Sequence, residues 1–129
     1  MADATVTQNT INIVKLPLDG NPIFRSAYSA NWSTVGEVVA AVAGACHYIT
    51  KIEVRLATAT TVSIGTGTGT DAVTTLHMGP IPVDAASGIF VWTAPDGYGM
   101  KLTDATEMAL ETGGEAPLWI YVEGKTCKI

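Results

Sequence analysis

The residue types that do acid–base, nucleophilic or metal chemistry are sparse in this chain and poorly spaced for it. Its two histidines, His47 and His77, sit in no HxH or HxxxH pattern that would put two imidazoles on one metal ion. Cys46 and His47 are neighbours, but adjacent side chains on a strand leave opposite faces, so they cannot serve each other as nucleophile and base. A dyad with a distant residue stays open. No Gly-x-Ser-x-Gly elbow occurs. Asp96, Asp104, Glu107 and Glu111 could in principle pair for glycoside hydrolysis, although carboxylates on strand faces and turns are ordinarily solvated charge. The run from Gly65 to Asp71 alternates glycine and threonine like a phosphate-binding loop, yet Ala72-Val73-Thr74-Thr75-Leu76 behind it reads as a strand, not as the helix whose N-terminus would hold a phosphate. It reads as a turn between strands. The expectation is a protein that is not an enzyme, with no catalytic residue, no metal and no cofactor.

Composition narrows the partners. A formal charge of −5 with scattered Lys and Arg leaves no basic stripe to neutralise phosphates, so no nucleic acid is expected. The first residues, Met1 to Thr5, lack the charged and apolar regions of a secretory signal, and the Asn31-Trp32-Ser33 sequon has no meaning without export. The longest apolar candidate, Val38 to Cys46, is too short to span a bilayer and is interrupted by Gly44, so no membrane partner is expected and the chain reads as soluble. Cys46 and Cys127 are far apart in sequence, and neither a disulfide framework nor a four-ligand zinc site can be read from their spacing. With 129 residues, 47% of them hydrophobic and 15% charged, the chain fits one folding unit with a single core.

The elements that would position any site read as strands. An N-terminal arm rich in Thr, Asn and Gln ends in the apolar run Ile13 to Leu16, before the turn cluster Asp19-Gly20-Asn21-Pro22. We place the arm and its first strand at residues 1–22 and a β-sandwich domain at 23–129. Thr34 to Val42 is ambiguous, since Val35, Val38, Val39 and Val42 also fit helical spacing and Thr34 with Glu37 fits a capping box; its β-branched residues and Gly44 favour a strand. From Tyr48 the pattern is alternating, with Tyr48, Thr50, Ile52, Val54 and Leu56 opposing Ile49, Lys51, Glu53 and Arg55. Further strands are expected at Phe24–Trp32, Thr61–Ile64, Val73–Met78, Ile89–Thr93, Tyr98–Leu102, Thr106–Glu111 and Leu118–Glu123, with His77 facing away from the core. Ile52, Val54, Leu56, Met100, Leu102, Met108, Leu110, Ile120 and Val122 should share one core. The fold class expected is all-β: a single antiparallel sandwich, jelly-roll-like, of about eight strands.

The last strand breaks the alternation. Leu118, Ile120 and Val122 face one way, and Trp119 and Tyr121 the other, so either the chain covers both faces or the two aromatics meet a partner. The arm offers a second candidate interface, because Ile11, Ile13, Val14 and Leu16 could add a strand to a neighbouring sheet edge or pair inside their own sandwich.

The order of elements resembles a family of small β-sandwich proteins encoded beside capsid genes in tailed bacteriophages. The residues that carry the resemblance are Val39 to Gly44, matching a Val-Ala-Ala-Val-x-Gly strand, Gly88 to Trp92, matching a glycine-aromatic strand after a Pro-containing loop, and the closing Tyr121-Val122-Glu123. The resemblance covers about a hundred residues and implies a cement protein of the virion, added to the outside of the capsid after assembly in the host cytoplasm. It implies the major capsid protein as partner, and self-association, as a trimer. A different class of function, a glycan-binding sandwich module, would use Trp32, Trp92, Trp119 or Tyr121 to stack on sugar rings.

Overall fold

The computed structural model describes residues 11–32, 35–58, 60–67, 73–83, 89–114 and 116–129. They form ten strands and, among the described residues, no helix: β1 (Ile13–Lys15), β2 (Asn21–Trp32), β3 (Val35–Val39), β4 (Ala45–Leu56), β5 (Thr60–Gly67), β6 (Val73–Val83), β7 (Ile89–Thr93), β8 (Tyr98–Lys101), β9 (Glu107–Thr112) and β10 (Ala116–Lys128). A six-stranded sheet has the order β1-β8-β4-β10-β2 with β7 also on β4, and a four-stranded sheet has the order β3-β9-β5-β6. Every pairing is antiparallel.

The pairs β2–β10, β3–β9, β4 with β7 and β8, and β5–β6 nest like one long hairpin rolled over on itself. That is a jelly roll, a double-sheet solution to the problem of exposed strand edges. All ten strands fall in segments read as strands from the sequence; they exceed the about eight of a simple sandwich because β1 joins the sheet edge and the short β7 and β8 lie end to end along β4. β7 takes Lys51 to Arg55 and β8 takes Tyr48 and Ile49. Of the arm expected at 1–22, Ile13–Lys15 pair into the sheet and β2 starts at Asn21, while residues 1–10 lie outside the described residues.

One core cluster holds the inward side chains of both sheets. Ile52, Val54, Leu56, Leu118, Ile120, Val122, Met100 and Ile49 come from the six-stranded sheet, and Val38, Val62, Ile64, Met78, Met108 and Leu110 from the four-stranded one. The nine residues expected to share a core all lie in it.

Several local readings need correction. The alternation in β4 does not run unbroken from Tyr48: Ile49 is fully buried and Tyr48 half-exposed. The ladder slips between Glu123, opposite Lys51, and Gly124, opposite Ile49, so Thr50 is the extra residue of a bulge and the phase reverses there. Gly124 permits the bulge, since a Cβ at that position would collide with the Tyr48 carbonyl and lie 3.1 Å from the Ile49 Cα. It therefore sits inside β10, which runs on to Lys128 instead of stopping at Glu123. The strand expected over Thr34–Val42 ends at Val39, and Ala40 to Gly44 turn the chain, with Gly44 at φ +72° and the Ala45 amide donating to the Val42 carbonyl. Thr34 lies outside the described residues.

The glycine run is not wholly a turn. β5 continues through Gly65, Thr66 and Gly67, because β6 approaches so closely that a Cβ on Gly65 would strike the Thr75 carbonyl; residues 68–72 lie outside the description. β6 passes through Pro80 and Pro82, which its edge position tolerates, and His77 is buried, not solvent-facing, because the ladder slips between Leu76 and Met78.

Candidate functional site

His47 and Cys46 are engaged in holding the fold. The His47 ring, only 2% exposed, has Nε2 2.8 Å from the Ala40 carbonyl and Nδ1 2.8 Å from the Thr126 hydroxyl. A carbonyl only accepts, so Nε2 carries a proton and the ring ties the β3–β4 turn to β10. Cys46 leaves the opposite face of β4, its Sγ donating to the Leu102 carbonyl at 3.1 Å. Burial, and next the Asp104 carboxylate, push the Cys46 thiol up to about 11. Among the described residues no group of three or more His, Cys, Asp or Glu is placed to hold a metal ion.

The outer face of the six-stranded sheet is different. Residues directly opposite one another in an antiparallel ladder share a face, so the registers of β2, β10, β4 and β7 define its rows. One row is Tyr28, Trp119, Arg55 and Ile89; the next is Ser26, Tyr121, Glu53 and Val91; the third is Phe24, Glu123, Lys51 and Thr93. Leu118, Ile120 and Val122 fill the core on the reverse side of the same strand, which is why β10 is apolar on both faces. Phe24 is 71% exposed, Tyr28 67%, Val91 50% and Ile89 45%.

At the centre of this face Trp119 and Tyr121 lie nearly parallel, with centroids 6.3 Å apart and planes 8° from coincident in direction. The Arg55 guanidinium carbon sits 5.5 Å from the Trp119 centroid, a cation–π contact, and Arg55 Nη2 is 3.9 Å from Glu53 Oε1. The Tyr121 hydroxyl donates to Glu123 Oε1 at 2.7 Å. That bond, with some burial, raises the phenol above its ordinary value. Lys51 and Arg55 balance Glu53 and Glu123, leaving a face with no net charge, exposed aromatic and aliphatic rims and a pre-positioned ring pair.

The arm residues lie at the edge of the same sheet. Ile13 and Val14 pair with Met100 and Gly99 of β8, the Lys101 amide donates to the Asn12 carbonyl at 2.8 Å, and the Leu16 amide donates to Gly97 at 3.0 Å. Lys125 Nζ holds the following turn through the Pro17 carbonyl at 2.9 Å. Residues 13–15 thus pair inside their own sandwich, the second of the two arrangements open to them, and because β1 is the last strand of the sheet its outer edge has no strand beside it among the described residues. Ile11 and Ile13 are exposed, whereas Val14 and Leu16 are half-buried. A pocket of about 290 Å³ lined by Leu16, Thr50, Lys51, Thr93 and Glu123, among others, joins the arm to the third row of the outer face. Of the arm residues expected at an interface, Leu16 therefore borders the same surface as the Trp119–Tyr121 pair, and Val14, opposite Gly99, lies on that side of the sheet, whereas Ile13, opposite the core residue Met100, faces the other way.

Phe24, Tyr28, Arg55, Ile89 and Val91 were not among those expected residues. Each sits on a strand whose alternation is visible, but which face of β2 or β7 joins Trp119 depends on long-range register. Of the aromatics considered for stacking on sugars, Trp92 pairs with Ile52 and packs against the core, and the side chain of Trp32 lies outside the description. No model of a known protein family matches the chain, and no curated protein matches it.

Proposed function

We propose that this protein is a virion structural component that decorates and stabilises the outside of a bacteriophage capsid, binding the major capsid protein and assembling as a homo-oligomer, the trimer implied by the family resemblance. The observation that carries the proposal is the outer face of the six-stranded sheet: neutral, centred on Trp119 and Tyr121, and rimmed by exposed Phe24, Tyr28, Ile89 and Val91. Aromatic residues and Arg are enriched at protein interfaces, and on this face the charges of Lys51 and Arg55 cancel those of Glu53 and Glu123. Jelly rolls serve in viral shells and in lectins, so fold alone favours neither.

Size sharpens the reading. Four strands about 4.8 Å apart and three rows about 6.8 Å apart give a footprint of about 400 Å². A stable interface buries about 800 Å² per partner. The face needs help, and the arm edge across the Leu16 pocket together with multivalent attachment of an oligomer supplies it. The test is co-sedimentation with purified shells that lack the protein. Saturable binding and a rise in the shell's melting temperature support the proposal; protein that stays in the supernatant at micromolar concentration contradicts it.

A glycan-binding module is the second reading, favoured by one observation. The parallel Trp119 and Tyr121 rings, with Arg55, Glu53 and Glu123 beside them, offer stacking surface and hydrogen-bonding groups together. Saccharide-dependent quenching of tryptophan fluorescence, without shell binding, would decide for it.

A further inference from the structure

The β4–β10 ladder sets Cys46 directly opposite Cys127. Facing residues of an antiparallel pair have Cα atoms about 4.5–5.5 Å apart, inside the window of about 4.4–6.8 Å that disulfides occupy. Their side chains leave the same face of the sheet, and both are buried. In the structure both thiols are free. Each instead donates to a carbonyl, Cys46 to Leu102 at 3.1 Å and Cys127 to Asp19 at 3.0 Å, weak bonds that rotation about the Cα–Cβ bonds would exchange for a covalent one.

Access to the two sulfurs is unequal. Cys127 lines the cavity between the turn Pro17–Asn21 and the end of β10, about 580 Å³ in volume and open to solvent. Cys46 lies behind the carbonyl of Leu102 and beside Asp104. Neither thiol is activated: burial raises Cys127 and, with Asp104, raises Cys46 further.

We propose that Cys46 and Cys127 are a latent cross-strand disulfide, closed by exchange with a small-molecule disulfide such as oxidised glutathione that enters through the Pro17–Asn21 cavity. The Cys127 thiolate attacks one sulfur of the reagent and expels one glutathione thiolate. The Cys46 thiolate then attacks Sγ of Cys127 in that mixed disulfide and expels the second glutathione. Two protein thiols are oxidised, one glutathione disulfide is reduced, and the two protons lost by Cys127 and Cys46 end, by way of solvent, on the two expelled glutathione thiolates, giving two thiols. The bond closes a long loop and fastens the end of β10 to β4, so it constrains the unfolded chain as well as the folded one. Scarce thiolate makes closure slow at neutral pH and faster as the pH rises.

The test is to incubate the folded protein with oxidised glutathione at about pH 7 and about pH 9, then read intact mass, a non-reducing gel and a peptide map. The expected product is a monomer lighter by two hydrogens, cross-linked Cys46 to Cys127, formed faster at the higher pH, with a Tm raised by on the order of 10 °C that dithiothreitol reverses. Cys46→Ala should stop at a glutathione adduct on Cys127; Cys46→Ser provides the same arm if the alanine variant folds poorly. The proposal is overturned if the folded wild type accumulates stable glutathione adducts, forms intermolecular dimers, keeps both thiols at pH 9, or closes only in denaturant.

Discussion

Replacing Gly124 by alanine tests the bulge that sets which side chains of β4 face the core. The new Cβ would collide with the Tyr48 carbonyl and lie 3.1 Å from the Ile49 Cα. Both obstacles are backbone, and β10 is held between β4 and β2, so relief requires moving a central ladder. Such overpacking costs about 1–3 kcal/mol or more, while the loss of glycine freedom in the unfolded chain returns about 0.4–1 kcal/mol. The net expectation is a loss of about 1–2 kcal/mol, at roughly 3–6 °C of Tm per kcal/mol for a chain of this length. Gly114→Ala is the matched control, because nothing lies within 4 Å of its Cβ position and its φ is not left-handed. It should leave stability unchanged or raise it slightly. Urea and thermal melts followed by circular dichroism read both. Equal stability of the two variants would refute the bulge and with it the inward placement of His47 and Ile49.

Ile120, fully buried on the core side of β10, should lose about 2–5 kcal/mol as alanine, measured by urea denaturation, and an effect below about 0.5 kcal/mol would mean that the strand phase is wrong. His47→Phe keeps a flat aromatic ring, somewhat larger than imidazole, but leaves the Ala40 carbonyl and Thr126 hydroxyl without their partner, so it should cost about 1–3 kcal/mol, most visible as faster amide exchange in the β3–β4 turn. The Cys46 thiol, raised by burial and Asp104 from 9.0 to about 11, keeps its proton in the folded state after the unfolded chain has lost it. The stability this adds is present below pH 9 and disappears as the pH climbs toward about 11, so Cys46→Ser should flatten the alkaline limb of a stability–pH curve.

The sequence speaks clearly where period and burial coincide. Ile52, Val54 and Leu56 alternate with charged neighbours, and Ile120 and Val122 oppose two aromatics, so the core and the all-β class follow from local pattern. Legibility stops where a second strand decides. Nothing near Tyr48 announces that Thr50 is extra; the cause is Gly124, on another strand, which reads locally as a terminator. Pro80 likewise suggests an end to β6, and only its edge position allows the strand to continue. The candidate surface divides in the same way. Trp119 and Tyr121 stand out because they break an alternation, whereas Phe24, Tyr28, Ile89 and Val91 become neighbours of that pair only through registers set across three ladders. The facing of Cys46 and Cys127 is also a product of register, and their sequence spacing carries no trace of it.

The most direct measurement on the proposed role is a binding titration of wild type, Tyr28→Glu and Phe24→Glu on purified capsids that lack the protein. Both residues are highly exposed, so the variants should melt like the wild type. Docking through the outer face of the six-stranded sheet predicts that each charge weakens binding by about 30-fold or more, the scale of an interface hot spot. Unchanged affinity in both folded variants would contradict docking through this face.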